Sequence, residues 1–169
     1  MPEDEVIQKA HEDAAEGKSP STQAGEFVRE EIEHVREGKH GARSVKQAIA
    51  IGLSKARRAG VKLRAPKRGS QSRKVRAQAA RDLRKGRHPR RKVSRTRSSA
   101  ITRALKREST RTASRSALAR QARSSARRRG PAARHRSAER AVHTKGKHGL
   151  HLAALKAART RQRHHRRAA

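Results

Sequence analysis

Cysteine, tryptophan and tyrosine are absent from this 169-residue chain, and Phe27 is its one aromatic residue. Without cysteine there are no disulfides and no thiolate metal sites, which is compatible with a reducing intracellular compartment. A single ring cannot supply the stacking platforms of the RNA-recognition sheet or the OB-fold. Large apolar side chains are scarce too: Leu, Ile, Val and Phe number 22 of 169. That is below the fifth of a highly charged chain at which disorder becomes the default, and Ala, the bulk of the 31% hydrophobic fraction, buries little area per residue. No apolar run has membrane length. Met1-Pro2-Glu3-Asp4-Glu5 is acidic where a secretory signal is basic and then apolar, so a cytoplasmic protein with no membrane partner is expected.

Acid is missing beyond residue 37. Residues 38 to 169 carry 43 Lys or Arg against Asp82, Glu108 and Glu139, whereas the first 37 carry 11 acidic residues against 4 basic ones. The two regions therefore hold net charges of −7 and +40. A cationic region this dense repels itself unless a polyanion neutralises it, and Lys and Arg release condensed counterions when they sit on phosphates. Solubility alone is normally reached with mixed signs and far less net charge. The composition thus predicts a nucleic-acid binder, DNA first and RNA as the alternative, associated with the nucleoid.

Periodicity predicts a mostly α chain: a short N-terminal helical hairpin, then a long basic tail that is largely disordered or helical only on its polyanion. The boundaries read as an acidic-to-basic helical unit over 1–62, a linker over 63–71 marked by Pro66 and Gly69, and an Arg/Ala/Ser-rich tail over 72–169. Within the unit, Pro2 and the acids after it suit a first helical turn that Gly17 ends. Ser19-Pro20 opens a second helix with the stripe Phe27, Val28, Ile32 and Val35. Ser44-Val45-Lys46-Gln47 fits a capping box that opens a third, with Ala48, Ile49, Leu53 and Ala56 inward. The tail offers only thin stripes, such as Val75, Ala79 and Leu83, or Leu152, Leu155 and Ala158. One echo stands out: Gly38-Lys39-His40-Gly41 returns as Gly146-Lys147-His148-Gly149. Each copy reads as a loop opening a helix, or as a set of backbone donors for a phosphate.

The stretch Gly17-Lys18-Ser19-Pro20-Ser21-Thr22-Gln23-Ala24-Gly25-Glu26-Phe27-Val28-Arg29-Glu30-Glu31-Ile32, continued by Arg36-Glu37-Gly38-Lys39-His40-Gly41-Ala42-Arg43-Ser44 and by Lys46-Gln47-Ala48-Ile49-Ala50-Ile51-Gly52-Leu53-Ser54-Lys55-Ala56-Arg57-Arg58-Ala59-Gly60-Val61, resembles a family of small basic bacterial proteins. That family is of unknown function, and its members are often labelled plasmid-stabilisation proteins. The resemblance covers about the first 64 residues. It implies a bacterial cytoplasmic protein and is compatible with DNA binding. The tail is similar in composition to the tails of linker histones and bacterial histone-like proteins.

No nucleophile, base and orienting group can be assembled, and no Gly-rich nucleotide loop is present, so no enzyme and no cofactor is expected. Ten His residues, among them His148 and His151 and the adjacent His164 and His165, read as extra charge below neutral pH or as phosphate contacts rather than as metal ligands. Glu26, Glu30, Glu31, Glu33 and Glu37 read as a solvated face, or as an acidic surface that docks on the chain's own tail or on a basic partner. Serines such as Ser94, Ser98 and Ser99 read as interruptions of Arg runs or as phosphorylation sites. Phosphate binding is assigned to a distributed set: Arg57, Arg58, Lys67, Arg68, Arg73, Lys74, Arg76, Arg81, Arg84, Lys85, Arg90, Arg91, Lys92, Arg127, Arg128 and Arg129. The expected role is sequence-nonspecific, histone-like compaction or stabilisation of a nucleoid or plasmid. A ribosome- or RNA-associated protein and a helix-turn-helix regulator built on helices two and three are the alternatives.

Overall fold

A computed structural model describes residues 3–88 and 94–168, the side chains of the last five of these excepted. The chain divides into two units, Met1–Gln121 and Ala122–Ala169. Among the described residues there are six α-helices: α1 Asp4–Ala15, α2 Pro20–Arg36, α3 Val45–Arg58, α4 Arg73–Gly86, α5 Arg95–Lys106 and α6 Arg115–Ala168, with a 3-10 turn over Thr110–Ala113 before α6. Among the described residues there is no strand.

In the first unit α2 and α3 form the hairpin, and α1 lies against α2. Serine hydroxyls start the helices: Ser19 accepts from the Thr22 N–H and Ser44 from the Gln47 N–H. The Gln47 side chain returns the favour to the Arg43 N–H at 2.8 Å, which satisfies two donors that a helix start leaves open. Gly38 stops α2 in a left-handed conformation, φ 74°, so that the Lys39 N–H reaches the His34 carbonyl and the Gly38 N–H that of Val35. The buried positions of α2 include Ala24, Phe27, Glu31 and Val35, and those of α3 are Ala48, Gly52, Ala56 and Arg57. Small residues on α3 let the helices close up. A Cβ on Gly52 would stand 2.7 Å from Val28 Cα and 2.9 Å from the Phe27 carbonyl oxygen. Two apolar clusters result, one around Phe27 with Ala10, Ala24, Ala56 and Val61, the other joining Val35, Ala42 and Ala48 to Ala113.

The expected short hairpin with a largely disordered or conditionally helical tail is overturned, because α4, α5 and α6 make the tail helical. Three physical reasons account for the difference. Ala and Arg rank among the best helix formers, while each i,i+4 like-charge pair costs only about 0.2–0.5 kcal/mol. Two serines of the tail act as caps: Ser72 accepts from the Val75 N–H, and Ser114 from the Ala117 N–H at 3.3 Å. Two segments are also fixed to the hairpin. α4 packs on α3, with Ala79 and Asp82 buried and Gly86 against the Arg57 carbonyl where no Cβ fits. Further on, the loop after α2 donates from the Gly41 N–H to the Leu105 carbonyl at 2.9 Å and from the Ala42 N–H to the Ser109 carbonyl at 3.2 Å. Arg36 Nε donates to the Ala113 carbonyl at 3.0 Å.

In the second unit α6 continues with breaks at Gly130 (φ 72°) and Gly146 (φ 62°). Pro131 follows the first break, where its missing donor costs the next helical segment nothing. None of the described side chains of this unit is buried.

Candidate nucleic-acid interface

Successive residues turn by about 100° around a helix. The packed face of α4 is marked by Ala79, Asp82, Leu83 and Gly86, so Arg73, Lys74, Arg81, Arg84 and Lys85 fall on the opposite half, and all five are exposed. Arg76 is half-buried at the flank, and Arg81 is steadied by a 2.8 Å bond to Gln78 Oε1. Lys67 and Arg68 are exposed in the loop before α4. The structure thus brings five of the sequence-predicted cations onto one rigid face.

Arg57 and Arg58 have other work. Arg57 is 7% exposed and donates from Nε to the Leu63 carbonyl at 3.1 Å, holding the turn after α3. Burial pushes its pKa below the ordinary value, with Asp82 pulling the other way. Arg58 Nε lies 2.7 Å from Oδ1 of the buried Asp82, which also accepts from Ser54 Oγ and Gln78 Nε2. In the second unit Arg127, Arg128 and Arg129 are exposed, and Arg128 bonds the hydroxyls of Ser124 and Ser125. Arg90, Arg91 and Lys92 lie outside the described residues, as do the side chains of His164 and His165.

The carboxylates near the N-terminus are matched locally. Glu5 meets Lys9, Asp13 and Glu16 meet Lys18, Glu26 meets Arg29, and Glu3 and Glu37 meet Lys39. Hydrogen bonds to Asp13 and then Glu16 hold the Lys18 ammonium well above its ordinary pKa, and the bond from Lys9 holds the Glu5 carboxyl below its own. The face expected to be solvated is broken in its middle, since Glu30 and Glu31 are buried. Lys55 on α3 reaches both, at 3.4 and 2.7 Å. His40 Nε2 stands 3.3 Å from Glu31 Oε1, and His34 Nε2 stands 3.0 Å from Glu3 Oε1. Among the described residues, two sets of side chains bring potential metal-ligand atoms within 4.8 Å of one another: Glu31 with His34 and His40, and Glu3 with Glu30 and His34.

The repeated Gly-Lys-His-Gly element has two settings. Its first copy is the loop after α2, where the Gly41 N–H is spent on Leu105 and is not offered to a phosphate. Its second copy begins at the Gly146 break of α6. No helix among the described residues is long and apolar enough to cross a membrane.

A family of unknown function (DUF6496) matches residues 17–68. This stretch, under a third of the chain, runs from the start of α2 through α3 into the following loop. The chain is similar to that family there, and the match covers the buried Glu30 and Glu31, the half-buried Lys55, and His34 and His40. No curated protein and no solved structure matches.

Proposed function

We propose that this chain binds duplex DNA through its phosphates, without sequence preference, as a histone-like protein that compacts or stabilises a bacterial nucleoid or plasmid. The observation that carries the reading is the second unit. Its 48 residues hold 15 Lys or Arg against one carboxylate, Glu139, on helical backbone with no buried described side chain. Such a surface gains little from packing on itself and much from releasing counterions on a polyanion. The outward face of α4 adds five cations of the same kind. A helix-turn-helix reading has less support, because α3 is flanked by α2 on one side and by α4 on another, which leaves little of its surface for a groove.

Fluorescence anisotropy against salt tests the reading on two unrelated duplexes and one RNA hairpin of equal charge. On either duplex, log K falls linearly with log salt, by roughly three to five decades between about 50 and 200 mM for six to ten contacts. The two duplexes agree within a few-fold. Binding that survives molar salt, or strong discrimination between the duplexes, contradicts the proposal. A clear preference for the hairpin transfers it to RNA.

A further inference from the structure

We infer that Glu31, His34 and His40 form a binding site for a divalent transition-metal ion of the zinc type. The ligand set is two imidazoles and one carboxylate, a combination that suits such ions better than it suits calcium or magnesium. Glu31 and His34 lie three residues apart on α2, and the Gly38 turn carries His40 back over them. Ligand atoms of the three lie within 4.8 Å of one another.

Two observations point to an ion rather than to a plain ion-pair network. The Glu31 carboxylate has no exposed surface, and neither of its oxygens accepts an aligned hydrogen bond. Lys55 Nζ is 2.7 Å from Oε2, close enough to share charge but off the direction of a hydrogen bond. Oε1 is left facing His40. A buried carboxylate oxygen without a proper donor costs free energy that a bound cation removes. The second observation is the His40 ring. Its Nδ1 lies 3.1 Å from the Gly41 carbonyl, an acceptor that an Nδ1–H meets, and the neutral ring with that proton presents its lone pair at Nε2. In that form Nε2 faces Glu31 Oε1 at 3.3 Å, and a positive centre between the two atoms, a metal ion or a proton on the ring, relieves the contact. Bonds of about 2.0–2.1 Å to a tetrahedral zinc place neighbouring ligand atoms about 3.3–3.4 Å apart. The backbone carbonyl on Nδ1 is the outer partner that metal-bound imidazoles usually have, and Glu3 Oε1 lies 3.0 Å from His34 Nε2.

Access and charge also fit. A polar recess of about 140 Å³, lined among others by Glu3, Glu30, Glu33, Glu37 and Lys39, touches the site at His34, while Glu31 and His40 lie outside its lining. An ion there would take three protein ligands, with a water completing a tetrahedral set. The three carboxylates Glu3, Glu30 and Glu31 are opposed nearby by the ammonium groups of Lys39 and Lys55, so the pocket is attractive to a cation although the chain as a whole is not. Such an ion would clip α2 to the loop over 38–41, whose Gly41 N–H donates to the Leu105 carbonyl.

The inference does not depend on the nucleic-acid reading and is tested without DNA. Zinc chloride is titrated into the full chain by calorimetry, with ¹H–¹⁵N imidazole spectra recorded on the same samples. One strong site is expected, with the ring signals of His34 and His40 moving first and those of His148 and His151 moving only in excess. Tetrahedral cobalt(II) absorption accompanies replacement of zinc by cobalt. His40→Gln weakens the strong site roughly tenfold or more, while His148→Gln leaves it unchanged. Magnesium chloride fails to compete. The ring signals of the native chain decide the matter even if the variant unfolds. An absence of a strong site, or a strong site that moves the His148 and His151 signals first, overturns the inference.

Discussion

The two units differ in what their residues are spent on. In Met1–Gln121 opposite charges meet, and the side chains of Phe27, Glu31, Val35 and Asp82 are wholly enclosed. In Ala122–Ala169 fifteen cations face one carboxylate, and nothing described is buried. The comparison teaches that a chain poor in apolar side chains still builds a core when Ala and Gly let helices approach closely and enclosed carboxylates stand beside cations. Stability resides in the first unit, whereas the second carries the denser uncompensated charge, a net +14 in 48 residues against +19 in 121. Both sites of chemistry in the first unit, the buried carboxylates and the outward face of α4, exist because helices there are packed.

Changes that damage one property and spare the other sharpen this contrast. Phe27→Ala removes the largest enclosed side chain and should cost about 3–5 kcal/mol, read as a drop in the thermal midpoint. DNA affinity measured below that midpoint should change little. A large loss of affinity would show that the folded first unit itself forms much of the binding surface. Asp82→Ala leaves Arg58, Ser54 and Gln78 without their common acceptor. Because Arg58 remains half in water, the cost should be about 1–3 kcal/mol, and chemical denaturation would show α4 loosened from α3.

These two positions also show what the sequence discloses. The helices α1 to α3, their serine caps and their glycine stops are legible from pattern alone, since each rests on local backbone chemistry. The burial of Glu31 is disguised as solvated charge, although it occupies the place between Phe27 and Val35 where the spacing Ala24, Phe27, Glu31, Val35 puts one face of α2. His40 is visible in a repeated tetrapeptide, but its approach to Glu31 depends on how the Gly38 turn folds back. The anchoring of the tail had a subtler sign. Asp82 and Glu108, two of only three acids beyond residue 37, stand where tail segments meet cations of the hairpin, Arg58 at 2.7 Å and Arg43 at 3.9 Å. In a region of one charge, the exceptions mark contacts. Helicity of the tail escaped a reading that weighed repulsion between arginines above the summed propensity of Ala and Arg.

Smaller effects refine the assignment of charge. Changing Arg73, Lys74, Arg81, Arg84 and Lys85 together to Gln should lower the steepness of log K against log salt by at most about 4.5, at about 0.9 per phosphate. The thermal midpoint should hold, because the substituted side chains face away from α3. A shift in the midpoint as large as that of Asp82→Ala would mean that this face is packed. The smallest effect concerns Lys18. Its folded pKa is raised above the ordinary 10.5, so its contribution is fully present below pH 10.5 and fades as the pH rises through the folded value. Lys18→Gln should therefore lower the midpoint slightly at neutral pH, and the gap between variant and native chain should close in alkaline buffer. A gap independent of pH would assign the effect to something other than this charge.

The central claim, that the fold is held by the first unit and binding mainly by the second, is tested most directly by ending the chain after Gln121 and measuring two quantities. The slope of log K against log salt on duplex DNA should flatten by several units, and by as much as about 13 if every one of the fifteen lost cations meets a phosphate. The thermal midpoint should stay within a few degrees of the full chain's. An unchanged slope, or a shortened chain that no longer unfolds cooperatively, would contradict the account.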